Sequence, residues 1–232
     1  MRTDARVGET RRQFLQTLAA GALVGLDAQS ARGLTSPSII HAQASITPEE
    51  ALQTLLAGNR RFAANQLTSI EHDLRILKEH TVEKQEPVAG VLACADSRVP
   101  VELVFDQTIG HIFVTRVAGN FVTPEIIASL EYGVAVLGIR ALLVLGHTNC
   151  GAVKAAMKAD TAPGQISSIY PHLRPAVEQS GGKLDQAIEI NARLQAELLR
   201  TSSTVMRQAI AAGTLKVVAG VYDLGTGKVN LS

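Results

Sequence analysis

The two cysteines of this 232-residue chain each lie beside other side chains that can bind a metal or transfer a proton. Cys94 is followed at steps of two by Asp96 and Arg98 in "CADSR", and Cys150 lies three positions after His147 in "HTNC". A disulfide staple requires none of these neighbours. The spacing therefore favours metal chemistry, with a structural disulfide and two incidental cysteines as the remaining alternatives.

The candidate ligands form a set of two thiols and one imidazole. A catalytic zinc site has three protein ligands and leaves its fourth position to water, whereas a structural zinc site is closed by a fourth ligand. Cys94, His147 and Cys150 supply three, and the other histidines have no partner at ligand spacing. A metal bound by these residues is therefore expected to be catalytic.

Asp96 and Arg98 suit a role beside such a metal. Zinc lowers the pKa of a bound water to about 7, and Asp96 can accept the proton of the resulting hydroxide and orient its lone pair. A carboxylate close to thiolates tends to take up a proton, which a bidentate bond from Arg98 opposes. The predicted chemistry is zinc-hydroxide attack oriented by an Asp–Arg pair, although C-x-D-x-R alone also fits a surface turn.

Apolar strands that alternate with helices place both motifs at one edge of a sheet. Two strands, "PVAGVLAC" and "ALLVLGH", are continuously apolar and end at Cys94 and His147. Two more strands are predicted in "HIFVTRVAG" and "TLKVVAGVYDL", and "GTGKVNL" turns back as an antiparallel edge hairpin. This pattern predicts an α/β fold with a mostly parallel, four- to five-stranded sheet flanked by helices. Ligands bind at the carboxyl ends of the strands in such sheets.

Helical spacing of apolar residues predicts the covering layers. The first helix begins with Thr47, Pro48 and Glu50, which match a capping box with proline at the first helical position. Further helices are predicted over 70–81, 100–107, 124–138, 150–159, 167–179 and 184–212.

The N-terminal segment has the features of an export signal. A twin arginine, Arg11 and Arg12, precedes an apolar run over 14–26, and an A-x-A site follows at Ala42–Ala44. This order is typical of a Tat-type signal, and the run is shorter than the roughly 20 residues that span a bilayer. We expect residues 1–44 to be a twin-arginine export signal and residues 45–232 to form one exported or periplasmic, soluble domain.

The remaining composition excludes some partners. Removing 44 of the 232 residues leaves 188, enough for one domain. Five of the 22 Lys+Arg and three of the 21 Asp+Glu lie in the leader, which leaves 17 basic and 18 acidic residues. Because the basic residues are scattered, we expect no nucleic-acid partner. We also expect no stable membrane anchor.

The motifs together resemble the β-class carbonic anhydrases. The segments that carry the resemblance are "CADSR", "RVAGN", "SLEYGVAVLGIRALLVLGHTNCGAV" and the closing "GVYDLGTGKV", in the family's order from Thr47 onward. The resemblance implies one zinc held by Cys94, His147 and Cys150 and a catalytic dyad of Asp96 and Arg98. The implied reaction is the reversible hydration of carbon dioxide to bicarbonate and a proton.

The resemblance also implies a substrate pocket. Gln85 matches a glutamine that hydrogen-bonds substrate, and Phe113 and Tyr132 match aromatic residues that line the carbon dioxide pocket. Because part of this lining comes from a neighbouring subunit in the family, a homodimer or larger homo-oligomer is implied. A carbonyl sulfide or carbon disulfide hydrolase on the same fold stays open. A non-catalytic zinc or redox sensor is disfavoured, because a sensor requires neither the dyad nor Gln85.

The resemblance further predicts an open fourth zinc position. Some members close it by swinging the dyad aspartate onto zinc, in a state favoured by bicarbonate bound near a tryptophan three residues before the first cysteine. This chain has Val91 at that position and no tryptophan. We therefore expect Asp96 to stay paired with Arg98 and water or hydroxide to occupy zinc at neutral pH.

Overall fold

The computed structural model describes residues 46–68 and 81–232. The predicted leader and residues 70–80 of the second predicted helix lie outside the described residues. Helix α1, Pro48–Ala63, begins as predicted: the Thr47 hydroxyl accepts from the Glu50 backbone amide at 3.2 Å, and the Glu50 carboxylate accepts from the Thr47 amide at 2.7 Å. This reciprocal pair satisfies two amides that the helix itself leaves free.

A five-stranded sheet forms the centre of the described region. Its strands are β1 Ala89–Ala93, β2 Ile112–Arg116, β3 Ala141–His147, β4 Lys216–Tyr222 and β5 Val229–Leu231. Their order is β2-β1-β3-β4-β5, and every pairing is parallel except that of β4 with β5. The predicted α/β fold with a mostly parallel sheet is confirmed, including the antiparallel strand at its edge.

Helices connect and cover the strands. They are α2 Val101–Val104, α3 Pro124–Ala135, α4 Gly151–Lys158, a 3-10 turn Ile166–Ile169, α5 Tyr170–Gln179, α6 Leu184–Ser202 and α7 Thr204–Ala211. The prediction of one helix over 184–212 was wrong, because Ser203 has extended backbone angles and divides it. The helix predicted over 100–107 has only one turn, and Asp106 follows it with a left-handed φ of 45°. In the described ranges no helix is both long and apolar enough to cross a membrane.

The sheet has an apolar core on each face. Val91 and Leu143 pack with α1 in one cluster, whereas Leu92 and Leu142 pack with α3 and α6 in the other. Alternate residues of β1 and β3 thus face opposite layers, as expected for strands that are buried on both sides.

The strand register brings the two motifs to one edge. In the parallel pairing of β1 with β3, Ala93 lies opposite Leu145. Cys94 follows Ala93 directly and His147 ends β3, so both leave the sheet at its carboxyl edge. Cys150 lies three residues on, immediately before α4.

Candidate active site

Cys94, His147 and Cys150 converge at the carboxyl edge of the sheet. Their ligand atoms all lie within 4.8 Å of one another, and all three residues are buried. Among the described residues, this is the one cluster of three or more candidate metal-ligating side chains. The set matches the three protein ligands of a catalytic zinc site, with no fourth Cys or His in the cluster.

The imidazole of His147 is oriented for ligation. Its Nδ1 lies 3.0 Å from the carbonyl oxygen of Thr148. A carbonyl can only accept, so Nδ1 carries the proton and Nε2 presents a lone pair. Nε2 is buried and has no hydrogen-bond partner in the described part of the chain. A metal ion would satisfy this atom, and the backbone bond to Nδ1 is the kind of contact that orients metal-bound histidines.

The two buried thiols interact directly. A hydrogen bond from Cys150 lowers the pKa of Cys94, although burial opposes this. The same interaction, together with burial, raises the pKa of Cys150. This interaction favours the thiolate form of Cys94, with the proton of Cys150 directed at it. A divalent cation that displaces the proton would neutralise both thiolates, so the donor set fits zinc.

Asp96 and Arg98 form a two-pronged ion pair next to this cluster. Arg98 Nε and Nη2 donate to the two Asp96 oxygens at 2.9 and 2.7 Å, and the Arg98 backbone amide adds a bond of 3.0 Å. The Arg98 contacts hold the pKa of Asp96 well below its usual range, whereas burial opposes the shift. Asp96 Oδ2 lies 3.8 Å from His147 Nε2, so an ionised carboxylate faces the ligand atoms.

Arg116, at the end of β2, contributes a contact that the sequence analysis did not assign. Its Nε donates to the carbonyl oxygen of Cys94 at 2.9 Å, and its Nη2 donates to that of Asp96 at 2.6 Å. The guanidinium thus holds the backbone on both sides of Ala95. The only signal in the sequence was its place in "RVAGN", whose function spacing alone does not reveal.

Comparison with known proteins agrees with this geometry. The carbonic anhydrase family model matches residues 89–229. A carbonic anhydrase of Mycolicibacterium smegmatis is 33% identical over 192 residues, which cover 79% of this chain and 93% of that relative. The chain belongs to the β-carbonic anhydrase family. It is thus an enzyme of this family, and the family predicted from the sequence is confirmed.

Solved β-carbonic anhydrase structures share the fold. The Coccomyxa enzyme, in complex with acetazolamide, is 30% identical, with a TM-score of 0.59 over 78% of this chain and 85% of that one. One of two tetrameric β-carbonic anhydrases from Sordaria macrospora has a TM-score of 0.62 over 78% of this chain and 95% of that one. At 23% identity the latter likeness shows the fold alone.

The three predicted substrate residues of this β-carbonic anhydrase lie on different elements. Phe113 lies on β2 opposite Gly90 of β1, and its ring centroid is 6.4 Å from that of Tyr132 on α3. Tyr132 is 48% exposed. Gln85 is exposed in the segment before β1. The two aromatic residues are brought together, and the substrate roles of all three stay predictions.

Proposed function

We propose that this chain catalyses the zinc-dependent, reversible hydration of carbon dioxide to bicarbonate and a proton. The observation that carries the proposal is the buried, unpartnered Nε2 of His147, which lies beside two buried thiols and an ionised carboxylate. Cys94, His147 and Cys150 hold the metal in this proposal. When bound, zinc supplies the Lewis acidity that brings the pKa of a neighbouring water close to neutral pH.

Asp96 orients the nucleophile. The reaction joins the oxygen of a water molecule to the carbon of carbon dioxide and releases a proton. An ionised carboxylate is an acceptor only, so Asp96 accepts a hydrogen bond from the water and directs a lone pair towards the substrate. Arg98 occupies both carboxylate oxygens and its backbone amide adds a third bond. These contacts keep Asp96 charged and limit its rotation.

The substrate pocket and the assembly belong to the same proposal. Gln85, Phe113 and Tyr132 contribute to the carbon dioxide pocket, which a second copy of the chain completes. One observation supports this: Tyr132 leaves about half of its surface exposed beside Phe113. The working unit is a homodimer or larger homo-oligomer, exported to the periplasm by the twin-arginine signal.

Metal content and turnover test the proposal together. We expect the mature protein, residues 45–232, to contain one zinc per chain and to hydrate carbon dioxide in a stopped-flow assay with a pH indicator. The same preparation is assayed with carbonyl sulfide and carbon disulfide. Zinc-loaded protein that hydrolyses these substrates and leaves carbon dioxide unchanged would identify a hydrolase. Zinc-loaded protein inactive on all three would favour a sensor, and a metal-free chain would refute the zinc site.

A further inference from the structure

The segment between β2 and α3 reaches the metal cluster through a backbone amide. The amide of Gly119 donates to the Cys94 sulfur at 3.2 Å. Gly119 has a φ of +89°, in the left-handed region. A Cβ at this position would lie 3.1 Å from Leu173 of α5 and 3.3 Å from Ala152 of α4. The Gly119 backbone is therefore enclosed by two helices, and the direction of its amide depends on what holds the peptide that follows it.

Two buried amide side chains of α6 hold that segment from behind. Asn191 Nδ2 donates to the carbonyl oxygen of Gly119 at 2.9 Å, and the Val122 amide donates to Gln195 Oε1 at 2.9 Å. Gln195 Nε2 in turn donates to Asn191 Oδ1 at 3.2 Å. Asn191 is 1% exposed and Gln195 is 6% exposed. One turn of α6 thus fixes both ends of the Gly119–Val122 segment.

These hydrogen bonds specify one position of the segment. A buried amide left without a hydrogen-bond partner destabilises the folded state, so a shift of the segment that breaks these bonds is unfavourable. Asn191 and Gln195 are four residues apart, which puts them on the same face of α6. Neither side chain hydrogen-bonds to Cys94, His147 or Cys150 among the described residues, so their effect on Cys94 passes through the Gly119 backbone.

We propose that Asn191 and Gln195 are positioning residues for the metal centre, which aim the Gly119 amide at the sulfur of Cys94. The inference rests on the proposed zinc site and adds the residues that orient its first thiolate. Groups that hydrogen-bond to metal ligands typically change metal affinity by 10- to 100-fold when removed. The Gly119 amide also draws charge from the sulfur, so its loss leaves a more electron-rich ligand.

Zinc affinity and a cobalt spectrum test the proposal in variants of the mature protein. Asn191→Leu removes the bond to the Gly119 carbonyl, and Gln195→Met removes the bond to the Val122 amide. We expect each to weaken zinc binding by up to about tenfold, the lower end of the effect of removing a direct partner of a metal ligand, measured by competition with a chelator. In the cobalt-substituted protein we expect the sulfur-to-cobalt charge-transfer band to move to longer wavelength.

Asn59→Leu is the matched control. Asn59 is 4% exposed and makes three hydrogen bonds, to the Val104 and Gly227 carbonyls and from the Val229 amide. It lies on α1, which covers the opposite face of the sheet from α6. Its replacement removes a comparable buried amide network, so we expect a similar loss of thermal stability with unchanged zinc affinity and an unchanged cobalt band.

The outcomes separate the proposals. If Asn191→Leu and Gln195→Met bind zinc as tightly as Asn59→Leu and keep the wild-type cobalt band, the positioning role is wrong. If Asn191→Leu does not fold, Gln195→Met decides the question by the same two measurements. A wild-type protein that binds no zinc would instead refute the proposed function itself.

Discussion

Arg98 acts on catalysis through Asp96 and is not a metal ligand. We expect Arg98→Ala to retain zinc and to lower kcat by on the order of 100-fold, within the usual range for a positioned acid–base group. Without the Arg98 side chain, the largest cause that lowers the pKa of Asp96 is lost while burial still raises it, so this pKa moves upward. Activity should therefore fall at mildly acidic pH, where the wild-type carboxylate is still ionised. Zinc analysis and a pH–rate profile measure both effects.

Arg61→Ala is the control for that variant. Arg61, near the end of α1, forms an ion pair with the buried Asp106. Its loss removes another Arg–Asp pair, so stability should fall while kcat and its pH profile stay unchanged. Full activity in Arg98→Ala, or an equal loss of kcat in both variants, would rule out the role assigned to Arg98.

The thiols test the metal assignment directly. Cys94 and Cys150 are free in the structure. Because zinc binds thiolate far better than it binds a serine hydroxyl, Cys94→Ser and Cys150→Ser should each lose most of the metal. The measurement is zinc per chain, together with thiol counting after denaturation. Metal-free wild-type protein without free thiols would show that a disulfide, and not a metal, joins the two cysteines.

Among the elements, the break between α6 and α7 depends on one hydroxyl. Ser203 Oγ accepts from the Met206 amide at 3.0 Å and donates to Glu131 of α3 at 2.7 Å. Loss of such a cap costs about 1 kcal/mol, so Ser203→Ala should lower Tm by roughly 2–4 °C. Ser202→Ala, at an exposed neighbouring position, should leave Tm unchanged. Equal Tm values for both variants would contradict the capping role.

The same region shows what the sequence could predict among the elements. Buried strands and the capping box of α1 follow from residue types at short spacing, and both were found as predicted. The break at Ser203 was missed because apolar spacing continues through it. Serine is a common N-cap, but its type alone does not distinguish Ser203 from Ser202, and the bond from Ser203 to Glu131 spans 72 residues. Likewise, the contacts of Asn191 and Arg116 are to backbone atoms distant in the chain, which residue spacing cannot indicate.

For the whole molecule, parallel topology explains why the candidate site could be predicted further than the pocket. Carboxyl ends of paired parallel strands meet at one edge, so two strand-end motifs sufficed to predict that Cys94 and His147 lie together. The pocket residues Gln85, Phe113 and Tyr132 followed only from the resemblance. In the proposed assembly a second copy covers some of the exposed residues, and such contacts between copies leave no pattern in the spacing of residues along one chain.

The proposed export depends on the N-terminal segment of the full chain. Twin-arginine signals are read as addresses, so replacing both Arg11 and Arg12 by lysine should keep the charge and trap the precursor in the cytoplasm. Immunoblots of cytoplasmic and periplasmic fractions measure the distribution, with a variant changed only at Arg2 and Arg6 as the control. Undiminished export of the double-lysine variant would contradict a Tat-type signal.

The proposed centre has a metal held by three protein ligands and an open position beside a carboxylate that Arg98 restrains. A crystal structure of the zinc-loaded mature protein near pH 7 would show this arrangement atom by atom. We expect zinc bound to the Cys94 and Cys150 sulfurs and to His147 Nε2, a water in the fourth position, and Asp96 still paired with Arg98. An Asp96 oxygen at bonding distance from zinc, about 2 Å, or zinc bound elsewhere, would contradict the account.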